Sequence, residues 1–466
     1  MPSRKPRTLG ELKKHSSRLP DVRQEMRANL IRKLADREPL FPTLIGYNDT
    51  VLPALINAVL CGHHIILLGE RGQGKSRIIR SMMDLLDEEM VAIAGCPIND
   101  DPFAPICTEC RQRLAEMGDE LPLAYVPRQR RLVEKLATSD VSTSDLIGDV
   151  DPIKIAQGRT LDDETSIHFG LVPRANRGIF AINELPDLAE KIQVAFFNIM
   201  EENDLQIKGF PVRLPLDIFM IATANPEDYT SRGRIITPLK DRFDVQIRTH
   251  YPRRRSEEIA IMNQEACIPP LDGIEARSPD FMKEIIAEIT FQARNSPEIN
   301  QHSGVSCRIS IRGYESILGS ALRRCLELGE SQAVPRITDI EASYPAIVGK
   351  LELEFEAEDS KTEDLLENLT KRAIKVVFDD HFKLDQLSTI VKAFQDGMTA
   401  KVSRFMAAAD YMDGFEVIPG LKKAVQSLAH PENPPEAAAA IEFILEGLHL
   451  SNKLNRQVED RGVVYK

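Results

Sequence analysis

Gly69-Glu70-Arg71-Gly72-Gln73-Gly74-Lys75-Ser76 decides the fold of this 466-residue chain. The stretch fits G-x-x-x-x-G-K-[ST] in full. Apolar residues from His64 to Leu68 precede it, and a helical pattern of Ile78, Ile79, Met82, Met83, Leu85 and Leu86 follows. A strand, a glycine-rich turn and a helix in that order are the context in which the motif has physical meaning. Glycines let the backbone curl so that its N–H groups point at phosphate oxygens, and the helix N-terminus adds its dipole. Lys75 then neutralises the β- and γ-phosphates, and Ser76 ligates Mg²⁺. The stretch predicts a bound nucleoside triphosphate, with ATP as the expected ligand.

Hydrolysis needs further groups: a carboxylate near the metal, a base to aim water, and a cation opposing the developing charge. Downstream, Ile179-Phe180-Ala181-Ile182 runs into Asn183-Glu184. This is the layout of a Walker B strand, with Asn183 where an aspartate is usual and Glu184 where the general base belongs. An Asn carbonyl still accepts from a metal-bound water but lacks the charge, so weaker Mg²⁺ binding is expected at Ser76 and Asn183. A third apolar run, Ile221-Ala222-Thr223-Ala224, ends at Asn225-Pro226. Asn225 is placed to orient the water, the sensor-1 role. Arg242, in Lys240-Asp241-Arg242-Phe243, is a candidate arginine finger for a neighbouring subunit. Lys75, Glu184, Asn225 and Arg242 form the expected catalytic set.

Short apolar runs alternating with helical stretches predict βαβ units, that is, an α/β fold with a parallel sheet covered on both faces. The segment 205–214 reads as a hairpin around Lys208-Gly209. After Pro252-Arg253-Arg254-Arg255 the pattern turns helical. The expected division is a lead-in over 1–40, a nucleotide-binding core over 41–255, a helical lid over 256–350 and a helical extension over 351–466. An acidic stretch from Glu352 to Glu367 reads as a solvated linker or helix face. Formal net charge is −12, which argues against nucleic acid as the main partner. No apolar run reaches membrane-spanning length, and seven cysteines in so long a chain do not make a disulfide framework. A cytoplasmic location is expected.

With these residues in order, the chain resembles an AAA+ ATPase, specifically the I subunit of magnesium chelatase within the chelatase and MoxR group. The resemblance covers roughly 41–350. It includes Ile45-Gly46, where that family meets the adenine, and the loop residues Gly69, Glu70, Arg71, Gly72, Gln73, Gly74, Lys75 and Ser76. It extends to Asp145–Asp151 and Gly170–Gly178, which lead to Walker B. Ser306-Cys307-Arg308 resembles the sensor-2 turn of the lid, which implies a γ-phosphate contact for Arg308, with Arg312 as a substitute. The resemblance also implies a five-stranded αβα core, a helical lid, and a homo-oligomeric, hexameric ring with ATP between subunits. It implies action on a partner protein carrying a von Willebrand A domain. Asn183 and the long region beyond Leu351 depart from the family pattern.

Two competing functions follow from the same residues. One is a nucleotide-gated scaffold that scarcely turns ATP over, motivated by Asn183. The other is a sigma-factor-type transcriptional activator, which would need a Gly-Ala-Phe-Thr-Gly-Ala loop that the sequence lacks. Three cysteines, Cys96, Cys107 and Cys110, form C-x10-C-x2-C. A zinc knuckle needs a fourth ligand and none stands at a convincing spacing, so free cysteines in an insertion are the reading. His63-His64 reads as packing or surface. Arg174 and Arg177 read as exposed basic residues or contacts to a neighbouring subunit.

Overall fold

Five strands make the central sheet of the computed structural model: β1 Ile65–Leu68, β2 Leu132–Leu136, β3 Gly178–Asn183, β4 Ile218–Ala224 and β5 Val245–Arg248. Their order is β5-β1-β4-β3-β2, and every pairing is parallel. Alternation sends successive side chains to opposite faces. Ile65, Leu67, Ile179, Ala181, Phe219 and Ile221 join one apolar cluster, while Ile66, Phe180, Ile182, Met220 and Ala222 join another. Helices cover the first face through Met26, Leu30, Leu55, Ile78 and Met82, and the second through Ile192, Phe196, Ile199 and Leu239. The result is a three-layered αβα sandwich. Because β1, β3 and β4 are buried on both faces, they read as continuous apolar runs.

The structure describes residues 5–150, 167–202, 205–207, 210–212, 214–225, 234–268, 271–301, 303–353, 359–430, 433–460 and 462–466. Lys208, Gly209, Asp151, Pro226 and the middle of the acidic stretch lie outside these. Leu205–Ile207 and Phe210–Val212 pair antiparallel, so the hairpin is present on either side of Lys208-Gly209. Residues Glu363, Asp364 and Glu367 lie exposed on the helix Asp359–His381, which bears out the solvated helix face.

The chain divides into two compact units, 1–250 and 251–466. The first forty residues belong to the sheet unit. Asp21 closes a capping box at the start of the helix Val22–Ala35, and Met26 and Leu30 are fully buried. From the same helix Glu25 receives both terminal nitrogens of Arg131 at 2.6 Å, a bidentate pair with both side chains buried.

In the second unit one apolar cluster runs from Met262 to Tyr465, so the segments on either side of residue 350 share a core. At its centre lies the helix Pro434–Leu450, buried continuously from Glu436 to Leu448. A helix apolar on all sides needs neighbours on all sides. Gly447 is required there, because a Cβ would collide with the Phe378 ring. Glu442 and Glu446 are buried on the same helix and accept from the Tyr411 and Tyr465 hydroxyls. The extension is not wholly helical: Ala400–Val402, Arg456–Glu459 and Gly462–Tyr465 form an antiparallel sheet.

Candidate nucleotide site

At the carboxyl end of β1 the chain turns into the glycine-rich loop, and the site is built from that turn outward. A Cβ on Gly69 would collide with Thr249 Oγ1 and Gln73 Oε1, so any side chain here would have to displace the two groups that brace the loop. Gly72 and Gly74 have φ of 76° and 74°, the left-handed region that curls the loop. Buried Gln73 braces it from beneath, its Oε1 accepting from Thr249 Oγ1 at 2.7 Å and from the Glu70 N–H at 3.1 Å. The Tyr47 hydroxyl lies 2.5 Å from Gln73 O, which seats the half-buried Ile45-Gly46 segment beside the loop. Helix Lys75–Met82 starts at Gly74 with no side-chain cap, so its first N–H groups face the loop. In the loop Glu70 is half-buried and Arg71 exposed, and Ser76 is exposed in the first turn of the helix.

Parallel register brings three strand ends together. Leu68 pairs with Ala224, and Ala222 with Ile182. Lys75 Nζ donates to Gly69 O, to Glu70 O at 2.9 Å and to Asn225 Oδ1 at 2.5 Å. Asn225 is buried. The Glu184 N–H donates to Thr223 Oγ1 at 2.9 Å, and Glu184 adopts φ 59°, ψ 48°. For a residue other than glycine that backbone costs on the order of 1–3 kcal/mol and is concentrated at functional sites. Lys75, Asn225 and Glu184 are thus brought to one edge of the sheet, the edge where α/β proteins bind ligands.

Asn183 closes the same edge. Its Nδ2 donates to Glu134 Oε1 at 3.2 Å, and its Oδ1 is buried with no hydrogen-bond partner among the described residues. Glu134 comes from β2, where Leu136 pairs with Asn183, and its other oxygen accepts from Arg80 Nε at 3.0 Å. Arg80 stands one helical turn beyond Ser76 on the same face. Sequence reading missed Glu134. Only the pairing of β2 with β3 reveals it, because an alternating strand with two charges carries no site signal.

No protein-family model matches the chain. Among curated proteins, the ChlI subunit of magnesium chelatase from Nostoc sp. is 27% identical over 54% of this chain and 63% of its own length. The chloroplastic ChlI-1 subunit from Arabidopsis thaliana is 27% identical over 49% of this chain and 52% of its own length. Over about half its length the chain is thus similar to the I subunits of magnesium chelatase. It spans less than two-thirds of the length of these curated relatives. Among solved structures, a BchI–BchD complex of magnesium chelatase built from a cryo-EM reconstruction aligns with a TM-score of 0.36 at 21% identity. That alignment covers 70% of this chain and 98% of the other.

Arg242 ends the helix Thr237–Arg242, and its guanidinium lies over the Phe197 ring, 5.4 Å from the centroid. In the second unit Arg308 is exposed at the first position of the helix Arg308–Leu328, whereas Arg312 pairs with Glu315 at 2.5 Å. Arg177 corrects the sequence reading. It is buried, donates to Val91 O at 2.8 Å and has φ 60°, so its role is internal. Arg174 is exposed, 3.0 Å from His168 Nε2. His64 is buried as packing. The Met220 N–H donates to its Nδ1, and Arg23 approaches its Nε2 at 2.8 Å.

Proposed function

We propose that this chain binds ATP with Mg²⁺ at the loop Gly69–Ser76 and hydrolyses it. In this reading it works as a homo-oligomeric, hexameric ring that remodels or activates a partner protein carrying a von Willebrand A domain. The observation that carries the reading is the meeting of Lys75, Asn225 and Glu184 at one sheet edge, through the Lys75–Asn225 and Glu184–Thr223 hydrogen bonds.

The residues fit the groups they would hold. Loop glycines and the uncapped start of the helix Lys75–Met82 offer N–H groups to phosphate oxygens. Asn183 Oδ1 is a buried acceptor without a partner among the described residues, suited to a metal-bound water, and Glu134 beside it carries the negative charge that Asn183 lacks. Bound Mg²⁺ supplies charge neutralisation on the β- and γ-phosphate oxygens. Lys75 holds the phosphate chain, Asn225 orients the attacking water, and Glu184 accepts its proton. Arg242, on the helix Thr237–Arg242, opposes the developing charge in a neighbouring subunit's site. Remodelling of a partner then draws on the cycle of binding and hydrolysis.

A scaffold with little turnover is the second reading, favoured by Asn183. The two separate by turnover: fast Mg²⁺-ATP hydrolysis by wild type excludes the scaffold, while a pull-down with Glu184→Gln and ATP tests the ring and its partner. Binding without hydrolysis should trap an ATP-dependent ring, seen by light scattering, together with a von Willebrand A-type partner. A chain that stays monomeric with saturating ATP sinks the ring. Recovery of a sigma-factor complex would replace the chelatase-like arrangement with transcriptional activation.

A further inference from the structure

Away from the nucleotide loop, the stretch between the strands Glu89–Ile93 and Leu123–Pro127 gathers three cysteines and an aspartate. Cys96 follows the first strand, Cys107 caps the helix Thr108–Met117, and Cys110 stands in its first turn. One ligand atom from each of Cys96, Asp100, Cys107 and Cys110 lies within 4.8 Å of every other. Four ligands on a tetrahedral zinc, with Zn–S near 2.3 Å, sit about 3.8 Å apart, so the set needs only a small contraction. The missing fourth ligand of the C-x10-C-x2-C pattern is therefore Asp100, four residues after Cys96. It escapes a search confined to cysteine and histidine.

Buried cysteines alone carry no such inference, because a thiol packs as a small apolar group. Asp100 is what decides. It is 0% exposed, in a pocket whose neighbours Ile93, Ile98, Cys107 and Cys110 are apolar or thiol. Its Oδ2 accepts from the Cys107 N–H at 3.0 Å, while its Oδ1 is buried and accepts no hydrogen bond among the described residues. A carboxylate oxygen left bare in an apolar surround is costly unless a cation meets it. Two backbone N–H groups point at sulfur: Asp100 N at Cys96 Sγ and Cys110 N at Cys107 Sγ, each at 3.4 Å. Such donors stabilise thiolate ligands and fix their orientation.

We propose that Cys96, Asp100, Cys107 and Cys110 bind one zinc ion as a closed structural site. Binding forms three Zn–S bonds and one Zn–O bond and releases the thiol protons to solvent. Four protein ligands leave no position for water or substrate, so the ion is a brace and not a catalyst. It fastens the loop 96–107 to the start of the helix Thr108–Met117. Through Asn176 Nδ2, which donates to Ile98 O at 3.0 Å, that loop also supports the turn leading into β3.

Elemental analysis of the full chain, purified reduced and without chelator, should find about one zinc per chain. Cys110→Ser and Asp100→Ala should weaken zinc binding by at least roughly tenfold, while Cys61→Ser and Cys267→Ser, at exposed thiols elsewhere, should keep it. Should the ligand variants fail to fold, wild-type protein stripped of metal and titrated with Co²⁺ gives a separate reading. Thiolate-to-cobalt charge transfer saturating at one equivalent supports the site. Wild-type protein that purifies without zinc and shows no such band overturns it, as does iron in place of zinc.

Discussion

At Glu184 the chain accepts a left-handed backbone directly after an apolar strand, and that geometry ends the extended run. Its neighbour Asn183 sets the sharper question of where the metal's negative charge comes from. Glu134, 3.2 Å from the Asn183 amide, answers it if the charge has moved one strand across. Glu134→Gln should then raise the Mg²⁺ concentration for half-maximal hydrolysis by roughly tenfold, whereas an ordinary surface glutamate would leave it unchanged. Asn183→Asp would set two carboxylates against each other, and turnover should gain little. A gain above roughly tenfold would instead favour the scaffold reading, in which the missing acid is what holds hydrolysis down.

Among elements, the helix Val22–Ala35 is held to the sheet unit by the buried Glu25–Arg131 pair, and Arg131 also donates to Arg177 O. Glu25→Ala leaves that guanidinium buried and unpaired, which should cost about 3–5 kcal/mol in denaturant unfolding of the sheet unit. His64 makes stability depend on pH. Burial, then the Arg23 guanidinium, push its pKa from 6.5 down to about 4. The unfolded chain binds more protons between those values, so stability falls as pH drops from 6.5 toward 4. Asp217, raised by burial from 3.8 to about 6, has the opposite slope below 6. The His64 contribution is therefore read as the difference between wild type and His64→Gln, which should shrink toward pH 4 as wild type loses stability. A difference constant with pH contradicts it.

What the sequence made legible follows the same physics. Strands β1, β3 and β4 stand out because burial on both faces demands unbroken apolar runs. Edge strands β2 and β5 are half-exposed, and β2 carries Glu134 and Lys135, so neither announces itself. Gly69–Ser76, Glu184 and Asn225 are local signatures at strand ends and could be read directly. Glu134, Asp100 and the Glu25–Arg131 pair depend on residues distant in sequence or on a ligand type outside the usual pattern. Only the folded chain assembles them.

For the whole molecule, the proposed ring makes each nucleotide site shared between subunits. Arg242→Ala should lose roughly 10³-fold in hydrolysis while still binding ATP. Mixed with Glu184→Gln, itself inactive, it should recover part of the activity, because some interfaces then pair an intact Glu184 with an intact Arg242. No recovery would mean that Arg242 acts within its own subunit or not at all. Underneath this stands the claim that Gly69–Ser76 and Glu184 make an ATP-hydrolysing site. Steady-state Mg²⁺-ATP hydrolysis and equilibrium ATP binding, measured side by side on wild type and Glu184→Gln, test it most directly. The expected result is equal binding by both and a loss of roughly 10²–10⁴-fold in hydrolysis by the variant. Wild type that binds no ATP, or a variant that hydrolyses as fast as wild type, would contradict it.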